Sequence, residues 1–242
     1  MFRHYGKTRT LSHNLRIASL LSFVAGIVNV AGFFAVQRLT TNVTGHFAYM
    51  MDEMIRLHFW TGLVFLGYIF CFLLGSFVSS LLIESISRKS ERGIFRIPVL
   101  AEITLLAVFG CWGGRMQLHY PDLIACSLLF AMGLQNSLVT QISGSLVRTT
   151  HLTGLFTDLG IELSQLFFYP AKTHRDRLLS SIRLRTQIIF FFFTGGVCSG
   201  VLYRQLQLKT LLIAALLLAL GLVYDDLKFG WLKVKRRYRQ QQ

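Results

Sequence analysis

The sequence predicts an all-α integral membrane protein. About six membrane-spanning helices are expected, in two three-helix repeats of inverted topology, each with a broken or re-entrant helix after its first span. Three observations predict this. The 242 residues are 53% hydrophobic and include 21 Phe, and the mean hydropathy of +0.52 is too high for an ordinary soluble domain. Lys and Arg alternate between loops. One polar phrase is spelled twice, TTNVTGHF from Thr40 and TTHLTGLF from Thr149.

The spans come first. Six runs approach the 20 or so apolar residues that a bilayer crossing takes: Leu15–Val36, Phe59–Ile83, Ile97–Trp112, Leu123–Ile142, Thr186–Tyr203 and Leu211–Tyr224. The third is short and carries Pro98 in its first turn, where a proline is tolerated; the fourth follows Pro121. The basic N-terminus and the run after it imitate a signal peptide. That run is too long for one, and no small-residue cleavage site follows, so it counts as a span.

The charges test this division. Twenty of the 25 Lys and Arg fall in alternate segments: the N-terminus, the loop between spans two and three, the segment between four and five, and the tail. The other loops hold only Arg38, Arg56, Arg115, Arg204 and Lys209. Cytoplasmic loops collect Lys and Arg, so both termini are expected in the cytoplasm. The net charge of +14 is thereby assigned to lipid headgroups and topology. Nucleic acid is not expected as a partner, because no basic face on a soluble fold exists to receive it. The basic stretch Pro170–Arg185 and the tail Lys233–Arg239 are expected at the cytoplasmic lipid surface. Cys71, Cys111, Cys126 and Cys198 lie in or beside apolar runs without CxxC spacing and read as small hydrophobes.

The repeated phrase follows spans one and four. Residues Thr44–Leu57 and Thr153–Phe168 are too polar for simple spans and too apolar for free loops. Each is expected to lie on the membrane or dip into it. Two further landmarks recur in the same order: Gly26-Ile-Val-Asn29 matches Gly133-Leu-Gln-Asn136, and Gly75 and Ser79 match Gly195 and Ser199. The chain thus divides into two copies, residues 1–115 and 116–242. Three spans per copy put the second copy into the membrane from the opposite side, as in many secondary transporters.

A Thr-Thr-x-x-Thr-Gly phrase is chemically suited to a break followed by a helix start. Thr or Asn accepts from first-turn N–H groups, and Gly admits unusual backbone shapes. Within hydrocarbon, such a break survives only in protein or beside a wet cavity. The helix N-terminus offers free donors and partial positive charge to an anion. Two breaks from opposite sides would meet near the midplane. The residues assigned to a solute site there are Asn29, Thr41, Thr44, Gly45 and His46 from the first copy, and Asn136, Thr150, His151, Thr153, Gly154 and Thr157 from the second. Asn29 and Asn136 either ligate solute or bond the broken backbone of their own repeat, the second being favoured. His46 and His151 either serve the site or cap a helix, and capping is favoured.

Acidic residues are few. Glu53 and Glu162 are equivalent, and Asp158 shares a helix face with Glu162. Asp158, Glu162 and Glu102, which lies within span three, are candidates for proton or ion coupling. The alternative is pairing of Glu162 or Glu102 with an arginine such as Arg148 or Arg185. Asp52 and Glu53 are expected on an exposed interfacial face. No cofactor or metal is expected, for want of Cys/His spacing or a Walker A, GxSxG or HExxH motif. No enzyme activity is expected either. Gly196 and Gly200 form a GxxxG that serves the bundle interior or a homodimer. Asn42-Val-Thr44 matches a glycosylation sequon by chance.

GxxN, NVTGH and above all VRTTHLTGLFTDLG (Val147–Gly160) resemble the YoaK-like family of small multi-pass bacterial membrane proteins. The resemblance spans nearly the whole chain and implies an inner-membrane protein. It maps onto Asn29, Thr44, Gly45, His46, Asn136, Thr150, His151, Thr153, Gly154, Thr157 and Asp158. The function expected from the residues is transport of a small polar or anionic solute. A non-transporting scaffold, sensor or complex subunit is the alternative.

Overall fold

The apolar runs become helices because lipid offers backbone groups no partner outside the segment itself. The computed structural model describes residues 11–88, 93–143, 147–169 and 172–240. Among them every regular element is helical: α1 (Leu11–Val36), α2 (Val43–Ile55), α3 (Phe59–Ser87), α4 (Arg96–Met116), α5 (Pro121–Ser143), α6 (Leu152–Phe168), α7 (Lys172–Leu206) and α8 (Thr210–Gln240). Pro98 sits in the first turn of α4, and Pro121 opens α5. The basic residues Arg3, Lys7, Arg9, Lys89 and Arg92 lie outside the described residues.

Five stretches are long and apolar enough to cross a membrane: Ser12–Val36, Phe59–Ser87, Arg96–Met116, Pro121–Ser143 and Thr173–Asp225. The last, of 53 residues, takes in nearly all of α7 and the first half of α8. A 3-10 turn at Gln207–Lys209 separates the two, entered through Gln207 at φ +48°. The helices expose large apolar side chains such as Phe70, Phe77, Trp112, Phe190 and Phe193. An apolar exterior of this extent is a surface for lipid. The chain is a multi-pass membrane protein.

Buried glycines set the packing. A Cβ built on Gly26 of α1 would collide with the Phe192 carbonyl oxygen of α7, and one on Gly195 would collide with that of Phe23. The same pair of collisions occurs between α5 and α3: Gly133 against Phe72, and Gly75 against Phe130. Without a hydrophobic drive in lipid, such close backbone contact is what holds helices together. Hydroxyls add to it: Ser199 donates to the Ile27 carbonyl at 3.0 Å, and Ser76 to that of Gly133 at 3.1 Å. Gly196 and Gly200 of the GxxxG face Val30 and Phe34, inside the bundle.

Contact order along each pair fixes direction. Leu15, Phe23, Ile27 and Phe34 of α1 meet Gln187, Gly195, Ser199 and Tyr203 of α7 in turn, so these helices run parallel. Asp122, Phe130 and Gly133 of α5 meet Tyr68, Gly75 and Ser76 of α3, also parallel. Gln135 donates to the Leu21 carbonyl while Leu128 lies against Gly32, so α5 runs opposite to α1. Gly110 and Gly113 meet Leu212 and Leu208, so α4 and α8 are antiparallel.

The two short helices fold back as hairpins. In α2, Met54 lies against Gly62 of α3, while His46 reaches Tyr68. In α6, Glu162 and Asp158 reach Ser181 and Arg185 of α7. With 13 and 17 residues, they extend about 20 and 25 Å at 1.5 Å per residue, short of the bilayer's roughly 30 Å.

Candidate functional site

The chain is broken after α1 and again after α5. After α1, Thr40 donates to the Val28 carbonyl at 3.2 Å, and Thr41 donates to Asn29 Oδ1 at 2.7 Å. After α5, Asn136 Nδ2 donates to Thr150 Oγ1 at 2.6 Å, and Gln135 Nε2 to Thr149 Oγ1 at 3.0 Å. Each Thr-Thr pair is therefore pinned back onto the GxxN turn of the helix before it. The chain returns from the helix end to the depth of that Asn before the next helix starts. Buried amides and hydroxyls satisfy each other in this way, as a low dielectric requires.

Both breaks open on one cavity of about 790 Å³. Asn29, Thr41, Thr44 and Gly45 line it from the first copy; Asn136, Thr150, His151 and Thr153 line it from the second. Eight of the eleven residues assigned to a solute site thus share its wall. The other three do not line it. His46 is fully buried, and its Nε2–H donates to the Leu39 carbonyl at 2.6 Å. That bond makes Nδ1 the bare nitrogen, and Nδ1 has no partner among the described residues. Burial holds the His46 pKa below its ordinary 6.5. Gly154 lies beneath the His151 ring, and Thr157 donates to the Thr153 carbonyl at 3.0 Å.

The helix starts differ from the sequence expectation. Neither histidine caps a helix through its side chain. Asn42 is the N-cap of α2, its side chain accepting from the Gly45 N–H at 3.0 Å. Its Asn-x-Thr context hid that role behind a sequon, though Asn two residues before a Thr-Gly is a capping signal in its own right. In α6 the N-cap position is His151, with no side-chain hydrogen bond to the helix. Its first-turn N–H groups are left with spare donor capacity at the cavity.

Arg148 is the residue that sequence reasoning placed elsewhere, as a counter-ion. It lines the cavity and is the only Lys, Arg, Asp or Glu among the described residues that does. It is exposed, and no carboxylate pairs with it among the described residues. The clue was its position next to Thr149-Thr150, in a segment otherwise without charge.

The candidate coupling carboxylates lie off the cavity wall. Arg185 of α7 bridges Asp158 at 2.6 Å and Glu162 at 3.0 Å, and Ser181 donates to Glu162 at 2.6 Å. Of the pairings left open by the sequence, Glu162 takes Arg185. Glu102 is fully buried in α4, and neither carboxyl oxygen has a partner among the described residues. Glu53 meets His58 at 3.0 Å at the α2–α3 turn, and Asp52 meets Arg56 at 3.1 Å.

The family model described as "Protein of unknown function (DUF1275)" matches residues 17–224, all eight helices in whole or part. The chain belongs to this family. No curated protein and no solved structure matches it. The match takes in both Thr-Gly phrases and every residue of the cavity wall.

Proposed function

We propose that the protein is a small secondary transporter whose solute site is the cavity between α2 and α6. The carrying observation is that both copies of the Thr-Gly phrase reach one 790 Å³ space whose wall, among the described residues, holds Arg148 and no carboxylate. Two helix N-termini and a guanidinium favour negative charge. The solute class is a small organic anion, such as a carboxylate or phosphate ester.

The two halves act as repeats of inverted orientation. Support comes from the reciprocal glycine contacts and from the directions of the paired helices. A two-fold axis lying across the helices exchanges α1 with α5, α3 with α7 and α4 with α8. In that arrangement α7 and α8 are separate crossings, the count is six, and α2 and α6 are re-entrant. Both termini lie in the cytoplasm in this reading, which the surplus of Lys and Arg in alternate loops supports. The YoaK-like resemblance is compatible with the family membership.

Coupling to protons runs through Asp158 and Glu162. Their pair with Arg185 ties α6, one wall of the site, to α7. Protonating them would free that wall. Glu102 is a second candidate because an unpaired intramembrane carboxyl is costly.

The test is uptake into liposomes of a panel of radiolabelled carboxylates and phosphate esters. Saturable uptake of at least one is expected, abolished by Arg148→Gln in protein that still elutes as one species in detergent. No saturable flux across the panel, or flux indifferent to Arg148→Gln, would sink the transporter reading.

A further inference from the structure

A second cavity, of about 630 Å³, opens between α1, α7 and α8, away from the Thr-Gly breaks. Its chemistry changes along its length. Arg16 of α1 and Arg183 of α7 stand at one end, with Ser12 and Tyr224 beside them. Leu20, Phe23, Phe191 and Leu217 form the other end. The gradient is coherent because α1 and α7 run parallel. Seven residues separate Arg16 from Phe23, and eight separate Arg183 from Phe191. At 1.5 Å per residue, the apolar end lies about 10–12 Å deeper on both helices.

The middle of the groove makes no polar demand. Gln187 bonds Ser19 and the Leu15 carbonyl, so these groups satisfy one another. Both arginines are exposed, and neither pairs with a carboxylate among the described residues. Two guanidiniums without a described carboxylate thus stand at the mouth of an apolar slot.

We propose that this groove binds an anionic phospholipid. Its phosphate bridges Arg16 and Arg183, and an acyl chain lies along Phe23, Phe191 and Leu217. The lipid belongs to the leaflet on the side of the α1 N-terminus. A guanidinium accepts a phosphate with two parallel N–H donors, and a basic pocket between spans is a known chemical form of headgroup recognition. A zwitterionic headgroup has the phosphate but adds a cation that two arginines repel. Selectivity for net negative charge follows. The site is independent of the solute cavity and stands whether or not the protein transports.

The test uses full-length protein stripped of lipid in neutral detergent and titrated with phosphatidylglycerol or phosphatidylcholine, with bound lipid counted by native mass spectrometry. Phosphatidylglycerol should bind with one saturable site and outcompete phosphatidylcholine. Each arginine near a lipid surface is worth about five-fold in affinity, so Arg16→Gln with Arg183→Gln should weaken binding on the order of twenty-fold. Removing these exposed arginines strands no described partner, so the fold should hold. Leu217→Trp, which fills the apolar end, should lower retention with the arginines intact. Glycerol 3-phosphate has the anion without the chain and should fail to displace the lipid. Equal retention of the two lipids would overturn the proposal. So would binding unchanged by both sets of substitutions. Displacement by glycerol 3-phosphate at equal concentration would mark a free-anion site instead.

Discussion

The hairpin α2–α3 and the hairpin α6–α7 carry the same phrase on similar backbones, yet different chemistry holds them. In α2–α3 the contact is aromatic. The His46 ring lies 5.9 Å from Phe65 and 5.1 Å from Tyr68; Tyr49 stacks on Phe65 at 5.4 Å; Arg38 sits over the same ring at 5.3 Å. In α6–α7 the contact is ionic, through Arg185. Phe65 and Arg185 occupy equivalent positions, each ten residues before its paired glycine, Gly75 or Gly195. One position thus carries a ring in one copy and a guanidinium in the other. Glu53 and Glu162 diverge with it: Glu53 turns to His58 within its own hairpin turn, whereas Glu162 crosses to α7. A clasp of charges weakens in salt, while a clasp of rings does not. The second hairpin is therefore the one that salt should loosen.

The largest effects should fall where the halves agree. Gly26→Leu and Gly133→Leu each drive a side chain into a carbonyl of the neighbouring helix. Each should cost about 3 kcal/mol or more, since neither backbone can yield. Thermal unfolding in detergent should show equal losses, and a large inequality would break the equivalence of the two interfaces. Next comes Arg185→Ala, which strands Glu162, whose side chain is only 13% exposed. The cost is about 2 kcal/mol, below that of a fully buried pair because Arg185 is 23% exposed. Amide exchange should speed up in α6 and not in α2.

Asn42→Ala should cost about 1 kcal/mol, the worth of an N-cap. Its effect should appear as faster exchange in the first turn of α2. His151→Ala should leave α6 unchanged, because His151 makes no capping bond. The smallest effect is a pH dependence confined to α2. The folded pKa of His46 lies below the ordinary 6.5. The unfolded chain therefore takes up its proton first as the pH falls. The contribution of His46 is complete above pH 6.5 and declines as the pH drops from there towards the folded value. Exchange in α2 should quicken between about pH 7 and 5, and His46→Gln should remove that dependence.

Much of the fold was legible in the sequence because lipid allows few solutions. The runs beginning at Leu15, Phe59, Ile97 and Leu123 correspond to α1, α3, α4 and α5, and the prolines mark helix starts where a missing N–H costs nothing. Eight of the proposed site residues meet at one cavity because the same phrase makes the same break. What was not legible depended on the partner across the gap. His46 and His151 both lie beside a Thr-Gly corner but at different positions of the phrase: His46 matches Leu155 and is sealed beneath Leu39, whereas His151 matches Asn42 and faces the cavity. The repeat points to Thr44 and Gly45, and the cap is the unrepeated Asn42, which His151 replaces in the second copy.

The glycine contacts have a consequence for biogenesis. The principal partner of α1 is α7, that of α3 is α5, and that of α4 is α8. No long helix finds its main neighbour within its own half. A chain cut between α4 and α5 would leave two fragments that each lack the surface their helices were shaped for, and each should be degraded when made alone. Synthesised together in one cell, they should clasp and accumulate, as two hands interlace.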